Sequence, residues 1–265
     1  MTTFYNGDCL EVMKDLSDNS IDCFICDLPY GQLATGYDRP GHNEEVKRKV
    51  SKQTHDCCSW DVKIDLGPFW EQVKRLAKNE HTPVLMFCNT KFGFDLYNSN
   101  PSWFRYDLVW DKQRGVSFLL ANKMPMKSHE MIYVFSKSGA FYRRVDEDAP
   151  GKKKDTGNTA TPYISNCYSS NTLHRSNGAD EGKKCVFSVI TMKKVGTFKD
   201  HHPTEKPEEL YEWLLKRYVP ENGTVLDPTA GSFNSCFVAD RLGYTAIGIE
   251  KDKGFFEKAV KRLNG

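Results

Sequence analysis

Two short segments of this 265-residue chain contain residue types that could do chemistry, and each follows an apolar run. The first is Asp27-Leu28-Pro29-Tyr30-Gly31, directly after the run at 20–26. The second is Asp227 and the small residues behind it, after the run at 223–226. A short apolar run closed by Pro and Gly is typical of a strand that enters a loop. Since ligands of open α/β sheets bind at the carboxyl ends of strands, both segments are candidate sites.

The second segment has features of a nucleoside site. Its turn consists of Pro228, Thr229, Ala230, Gly231 and Ser232. A turn of small residues lets backbone N–H groups approach a ligand closely, although any α/β protein needs small residues at such turns. The next strand-like run, at 244–249, ends at Glu250, where an acid commonly accepts hydrogen bonds from a ribose diol. The loop lacks the GxGxxG pattern that a pyrophosphate favours, and Asp227 suits a cationic ligand.

The elements that would position these loops alternate in type. Helical spacing of apolar residues occurs at 9–16, 66–79, 206–219, 232–243 and 254–265. Strand-like runs occur at 20–26, 82–89, 105–112, 130–139, 223–227 and 244–250. This alternation predicts an α/β fold around a mainly parallel sheet. The polar stretch 32–59 predicts a long loop, and loops of that length are usually functional or mobile.

Composition changes between residues 140 and 200, where Ser, Thr, Asn, Gly and Lys replace the alternating pattern. This stretch contains eleven Lys and Arg residues against seven acids, a net charge of +4, whereas the whole chain carries +2. A basic segment on a near-neutral body is one footprint of phosphate binding. A solvated surface loop is the alternative explanation of the same charge.

The nine cysteines predict neither disulfides nor a metal site. Cys23 and Cys26 lie in a strand-like run, where positions three apart face opposite sides. The remaining candidate groups lack paired ligand spacing: His55, Cys57 and Cys58, and Cys167, His174 and Cys185. The N-terminus has no signal pattern, and no apolar run approaches the ~20 residues of a membrane span. We therefore expect an intracellular, cytoplasmic protein that is neither secreted nor membrane-bound.

Several segments together resemble the DNA amino-methyltransferases, which carry a D/S/N-P-P-Y motif. Asp27-Leu28-Pro29-Tyr30 is similar to that motif, with Leu28 in place of the first proline. The segment VLDPTAGSFNS resembles the family's D-P-F-A-G-S-G-T-T loop, with Phe233 in place of a glycine. The segments NGDCLEVMKDL and HPTEKPEEL resemble two further cofactor segments. The stretch from Asp27 through KMPMKSHE is most similar to phage-type and prophage-type adenine enzymes.

The resemblance implies a Rossmann-like fold with a mainly parallel, seven-stranded sheet and helices on both faces. The catalytic motif precedes the cofactor loop, which is the circularly permuted order of the β group of these enzymes. The chain would then comprise a catalytic half at 1–139, a DNA target-recognition insertion at 140–200 and a cofactor half at 201–265. The implied cofactor is S-adenosylmethionine, and the implied partner is double-stranded DNA. A homodimer is also expected, since relatives are often dimers.

The resemblance also assigns roles to residues. Asp27 and the carbonyl at Pro29 would accept the hydrogens of the target amine, and Tyr30 would stack on a base flipped out of the duplex. The implied cofactor-binding residues are Asp8, Cys9, Asp27, Thr204, Lys206, Asp227, Pro228, Thr229, Ala230, Gly231, Ser232, Phe233, Glu250 and Lys251. Asp8 and Cys9 would bracket the adenine, and Thr204 and Lys206 would lie near the cofactor's carboxylate. In the basic insertion, Lys152, Lys153 and Lys154 are the expected phosphate contacts.

Two questions stay open from the sequence. The motif opens with Asp, whereas cytosine-amine enzymes more often have Ser there, so we expect methylation at N6 of adenine. The alternatives are N4 of cytosine, a protein methyltransferase and a catalytically inactive DNA-binding relative. The second question is Phe233, because a positive φ is costly for phenylalanine. Either this loop differs in shape from the family's, or the ring of Phe233 covers the cofactor.

Overall fold

The computed structural model describes residues 1–31, 61–116, 118, 121–148, 183–193 and 205–264. The stretch 32–59, which was predicted to be a long loop, lies outside this part of the chain, as do Lys152, Lys153, Lys154 and Thr204. The chain divides into two compact units. One comprises Met1–Arg143 together with Ser188–Gly265, and the other is Arg144–Phe187.

The first unit contains a sheet of eight strands and six helices among the described residues. The strands are β1 (Thr2–Asn6), β2 (Cys23–Cys26), β3 (Val84–Cys88), β4 (Phe104–Val116), β5 (Lys127–Phe135), β8 (Val189–Thr191), β9 (Thr224–Asp227) and β10 (Thr245–Glu250). The helices are α1 (Cys9–Lys14), α2 (Leu66–Leu76), α3 (Thr90–Ser99), α4 (Glu208–Tyr218), α5 (Asn234–Arg241) and α6 (Lys253–Asn264). None of these helices is long and apolar enough to cross a bilayer.

The sheet has the order β1-β10-β9-β2-β3-β5-β4-β8. It has one strand more than the seven expected, because the three-residue edge strand β8 pairs in parallel with β4. Neighbouring strands run parallel except where β5 lies between β3 and β4, antiparallel to both. The predicted mainly parallel α/β sheet is therefore confirmed. Strand β4 ends at Val116 and β5 begins at Lys127, and this connection is shorter than the crossover of about a dozen residues that a parallel pair needs.

Apolar side chains from the central strands and from α2 form much of the core. Every residue of β2 and of β3 is buried, as expected for strands covered on both faces. Helix α2 buries Phe69, Trp70, Val73 and Leu76, whose spacing places them on one face. The helix begins after Asp65, whose side chain accepts a hydrogen bond from the backbone N–H of Gly67 at 2.9 Å.

Three adjacent strands position the polar residues singled out in the sequence. In the order β10-β9-β2 the strands pair in parallel, so their carboxyl ends meet at one edge of the sheet. Asp27 follows the end of β2, whereas Asp227 and Glu250 are the last residues of β9 and β10. The topology therefore gathers three carboxylates from distant parts of the sequence at a single edge, as the strand-end rule predicts.

In the second unit, the described residues include one short antiparallel pair. Strand β6 (Glu147–Asp148) pairs with β7 (Lys183–Lys184). Nearby, the guanidinium of Arg144 donates two hydrogen bonds to the carboxylate of Asp146, at 2.6 and 2.8 Å. The division of the chain at residues 139 and 200 into catalytic, recognition and cofactor parts stays a prediction.

Candidate active site

A cleft of about 800 Å³ lies in the first unit, at the carboxyl edge of its sheet. The described residues that were predicted from sequence and that line it are Asp8, Cys9, Asp27, Pro29, Tyr30, Lys206, Pro228, Thr229, Ala230, Gly231, Ser232, Glu250 and Lys251. These residues come from both ends of the chain. The sheet topology therefore brings the two candidate loops to one cavity.

Asp27 is held on both carboxylate oxygens. The ammonium of Lys206 donates to Oδ2 at 2.5 Å, and the hydroxyl of Tyr30 donates to Oδ1 at 3.0 Å. Burial acts to lower the pKa of Lys206, but the carboxylates of Asp27 and Glu130 outweigh it, and that pKa is raised. Lys206 therefore stays protonated, and Asp27 faces the cleft in a fixed orientation beside a permanent cation.

Tyr30 is fixed by contacts on its ring and on its hydroxyl. The ring stacks on that of Phe92, with centroids 5.0 Å apart and an interplanar angle of 28°. Phe92 lies in the first turn of α3, where its backbone N–H donates to the side chain of Asn89 at 3.0 Å. Burial, followed by the charges of Asp27 and Glu130, raises the pKa of Tyr30 well above its ordinary value. The hydroxyl is therefore neutral at physiological pH.

Asp227 is a buried carboxylate at the base of the cofactor loop, and it is absent from the described lining of the cleft. Its Oδ2 accepts a hydrogen bond from the hydroxyl of Ser235, and its Oδ1 accepts one from the backbone N–H of Thr229 at 3.1 Å. Burial raises the pKa of Asp227 to about 7, and the charges of Asp27 and Glu250 act in the same direction. A positively charged group at this loop would therefore stabilise the ionised form of Asp227.

Glu250 connects the end of β10 to the cofactor loop. Its Oε2 accepts a hydrogen bond from the backbone N–H of Gly231 at 2.8 Å, and its Oε1 accepts one from that of Asp252 at 2.7 Å. Burial raises the pKa of Glu250 despite these hydrogen bonds. Each carboxylate oxygen has a second lone pair, so Glu250 can bind hydroxyl groups while it holds the loop.

Asp8, Cys9 and Lys251 line another part of the cleft. One oxygen of Asp8 caps α1 by accepting a hydrogen bond from the backbone N–H of Leu10 at 3.0 Å. The other oxygen accepts one from the ammonium of Lys251, also at 3.0 Å. Burial raises the pKa of Cys9 to about 12, so its side chain is a neutral thiol. This corner offers a small apolar surface beside an ion pair.

Phe233 lies in the core beneath the loop and is absent from the described lining of the cleft. Its φ is 60°, so this phenylalanine adopts the positive φ that is costly for its residue type. The ring is fully buried, and its centroid lies 4.2 Å from that of Phe4. A Cβ added at Gly248 would come within 2.6 Å of this ring, which shows how closely it packs on β10. The ring therefore packs against the sheet rather than covering the cleft.

Several lining residues were missed from the sequence. They include Asp61, Asn89, Glu130, Glu205, Tyr211 and Phe255. Asp61 is buried and accepts a hydrogen bond from the backbone N–H of Gly31 at 2.9 Å, which joins the residue after Tyr30 to the segment that precedes α2. Glu130 lies in KMPMKSHE, a segment noted only for its family resemblance. Among the described residues, no group of three or more His, Cys, Asp or Glu is arranged to hold a metal ion.

The fold and the site define an open α/β protein with an acid-lined cleft at the carboxyl edge of its sheet. The family model N6_N4_Mtase, described as DNA methylase, matches residues 21–261. The chain therefore belongs to this family of DNA amino-methyltransferases.

Similar proteins cover nearly the whole chain. The type II methyltransferase M.HpaI of Haemophilus parainfluenzae is 26% identical over 97% of this chain and 73% of its own length. M.HinfI of Haemophilus influenzae is also 26% identical, over 99% of this chain and 68% of its own. Among solved structures, the M1.HpyAVI–SAM complex has a TM-score of 0.58 at 19% identity, with full coverage of both chains. The cytosine-N4-specific PvuII DNA methyltransferase has a TM-score of 0.63 at 13% identity, over 99% of this chain and 86% of that one.

Proposed function

We propose that this protein transfers a methyl group from S-adenosylmethionine to the exocyclic amine N6 of adenine in DNA. The observation that carries the proposal is the anchored carboxylate of Asp27 in a cleft shared with the loop of Asp227 and the acid Glu250. Membership of the DNA methylase family supports the reaction class. The choice of adenine rests on the aspartate that opens the motif.

The cofactor half of the cleft fits S-adenosylmethionine in its chemistry. That molecule has a ribose diol and two cationic groups but no phosphate. Asp227, whose ionised form is destabilised by burial, would gain from a cation nearby. Glu250 keeps lone pairs that can accept from a diol. The similar M1.HpyAVI was solved as a complex with SAM, which agrees with this assignment.

The catalytic half would activate a poor nucleophile. The adenine amine is planar because its lone pair is delocalised into the ring. Asp27 and the carbonyl of Pro29 would each accept one amine hydrogen, which favours a pyramidal nitrogen and frees the lone pair. S-adenosylmethionine supplies the methyl group on a sulfonium, and the extra proton of the methylated nitrogen leaves to solvent. Positioning and fixed charges provide the rate, because both oxygens of Asp27 are already held in place.

The target base must leave the duplex to reach Asp27. Extrusion costs a few kcal/mol, which stacking inside the pocket can offset. Tyr30 already stacks on Phe92, so its ring is oriented before a base arrives. A base that stacks on Tyr30 would bring its amine towards the carboxylate that the same tyrosine contacts.

N4 of cytosine is the second candidate acceptor. The PvuII enzyme, which is cytosine-N4-specific, shares this fold over 99% of the chain. Both acceptors are exocyclic amines next to a ring nitrogen, so the same arrangement of Asp27 and Pro29 could serve either one.

Asp27→Ala should abolish methyl transfer while S-adenosylmethionine still binds. Asp27 contacts the target amine in this proposal, whereas Asp227 and Glu250 hold the cofactor. Calorimetry gives the affinity, and label transfer to unmethylated DNA gives the turnover, which should fall ~100-fold or more. Asp18→Ala is the matched control, since Asp18 is a carboxylate paired with Arg75 away from the cleft. Retention of more than about a tenth of wild-type turnover would refute the role of Asp27.

A further inference from the structure

Four charged side chains of alternating sign form a chain that leads to Asp27. The ammonium of Lys112 lies 2.6 Å from Oε1 of Glu130, and that of Lys206 lies 3.6 Å from Oε2 of the same glutamate. Lys206 then contacts Oδ2 of Asp27 at 2.5 Å. Both lysine side chains are only 5% exposed, so this chain of charges is buried along most of its length.

Four separate elements contribute to this chain. Lys112 lies on β4 and Glu130 on β5, Lys206 precedes α4, and Asp27 follows β2. Both ammonium groups also lie near aromatic rings: that of Lys206 is 4.8 Å from the ring centroid of Phe87, and that of Lys112 is 5.7 Å from that of Trp110. This chain of charges therefore connects the antiparallel strand pair β4–β5 to the carboxyl end of β2.

Stability alone is a weak reason for such an arrangement. Buried ion pairs are costly to desolvate, and replacing both partners by apolar residues of similar volume is often neutral or stabilising. Their best-attested benefit is to fix one arrangement of side chains. Here the fixed end of the chain is the carboxylate that must meet the target amine.

We propose that Glu130 and Lys112 are positioning residues, which hold Lys206 so that it presents the carboxylate of Asp27 to the target amine. This inference rests on the proposed function. Lys112 lies outside the described lining of the cleft, and its hydrogen bond to Glu130 connects it to a residue of that lining. The family resemblance instead implies that Lys206 lies near the cofactor's carboxylate. That role makes a different prediction, because weakening the chain of charges would then reduce the affinity for the cofactor.

The test uses Lys112→Met, Glu130→Gln and the double variant. Lys112→Met removes the nearer of the two ammonium groups beside Glu130, and Glu130→Gln removes the carboxylate beside the buried ammonium of Lys112. The double variant removes both charges and should fold as stably as the wild type. We expect kcat to fall about 10- to 100-fold in all three variants, as for a misplaced reacting group. The KM for DNA and the Kd for S-adenosylmethionine should stay within about threefold of the wild-type values, because these variants do not remove contacts that bind either ligand in the ground state. Lys112→Arg should recover most of the lost kcat.

Lys78→Met is the matched control, since Lys78 pairs with the buried Asp22 at 3.0 Å outside the lining of the cleft. It should leave kcat unchanged. Wild-type kcat in the double variant would show that the pair is merely structural and would overturn the proposal. So would a loss confined to cofactor affinity, or a loss in Glu130→Gln with normal kcat in Lys112→Met.

A crystal structure of the double variant keeps the test independent of the reaction. The positioning role predicts that Asp27 leaves its contact with Lys206 or turns away from the cleft. An unchanged Asp27 would overturn it. If the wild-type protein methylates no DNA, the proposed function fails on that result alone. The crystal structure of the double variant still decides whether the chain of charges positions Asp27.

Discussion

At the scale of single residues, burial sets the chemistry of the cofactor loop. Asp227 is buried, and it accepts hydrogen bonds from Ser235 and Thr229. These hydrogen bonds do not compensate the carboxylate for its lost hydration, so its pKa rises to about 7. Glu250 is raised for the same reason. Glu250 in the lining of the cleft and Asp227 at the base of the loop are both costly to ionise, and they end neighbouring strands. A ligand that carries positive charge would stabilise their ionised forms.

The affinity for S-adenosylmethionine should therefore rise with pH around neutrality. Below pH 7 Asp227 is mostly protonated in the free protein, and a cationic ligand must displace that proton. Above pH 7 the carboxylate is already charged, so binding no longer has that cost. Between pH 6 and pH 8 the affinity should increase about tenfold for a group with this pKa. Calorimetry at several pH values measures the effect.

Asp227→Asn is the control for that pH dependence. The amide is nearly isosteric and does not titrate, so the affinity should be lower and should lose most of its slope between pH 6 and pH 7.5. The same slope in the variant as in the wild type would assign the titration to another group.

The sequence predicted the residues that end strands and missed those that the sheet brings in from elsewhere. Asp27, Asp227 and Glu250 each close an apolar run, and ligands bind at strand ends, so one rule found all three. Glu130 lies inside β5, and it reaches the cleft because that strand runs antiparallel between β3 and β4. Tyr211 reaches it from helix α4. Neither position follows from local pattern, because strand order is not encoded locally.

At the scale of elements, the turn from β9 into α5 combines backbone strain with aromatic packing. Phe233 precedes the first residue of α5 with a φ of 60° and a ψ of 18°, the left-handed region. That conformation costs an L-residue with a Cβ about 1–2 kcal/mol. The ring offsets this cost by packing on Phe4 and Phe256, with centroids at 4.2 and 6.4 Å. A glycine would remove the strain and the packing together.

Substitutions at Phe233 should therefore reverse the usual ranking of alanine and glycine. Phe233→Ala loses buried packing worth about 3–5 kcal/mol and keeps the positive φ. Phe233→Gly loses the same packing but recovers about 1 kcal/mol of strain. Both variants should be less stable than the wild type in urea unfolding, with the alanine variant the less stable of the two. An alanine variant more stable than the glycine variant would contradict the strain at this turn.

Long periodic segments were predicted well, whereas short or irregular ones were missed. The patterns at 66–79 and 206–219 indicated α2 and α4, which the structure contains at Leu66–Leu76 and Glu208–Tyr218. Helix α3 was missed, because this helix contains Gly93 and three aromatic residues, which obscure the helical pattern. Strand β8 has three residues with one of them buried, too few for an alternation to be recognised.

At the scale of the whole molecule, charge distribution rather than net charge predicts where DNA binds. The chain as a whole carries +2, while 140–200 carries +4. The described part of the first unit has an acid-rich cleft, so phosphates need another surface. Lys152, Lys153 and Lys154 are the densest run of positive charge in that stretch, and their contact with DNA stays a prediction.

Neutralising Lys152, Lys153 and Lys154 together should weaken DNA binding on every sequence. Each lost phosphate contact should also flatten the log–log salt dependence by up to about 0.9 on duplex DNA. A salt titration of DNA affinity compares the triple variant with the wild type, and S-adenosylmethionine affinity should not change. Identical slopes and affinities would exclude these lysines from the interface and would make the loop at 32–59 the better candidate.

The central claim is that the protein methylates an exocyclic amine of DNA, at N6 of adenine. The most direct test incubates the purified protein with unmethylated DNA and S-adenosylmethionine labelled on the methyl group, followed by digestion to nucleosides and mass spectrometry. We predict that the label appears in N6-methyladenine and that Asp27→Ala abolishes it. Label in N4-methylcytosine alone would contradict the choice of base. Label on protein instead of DNA would contradict the claim itself.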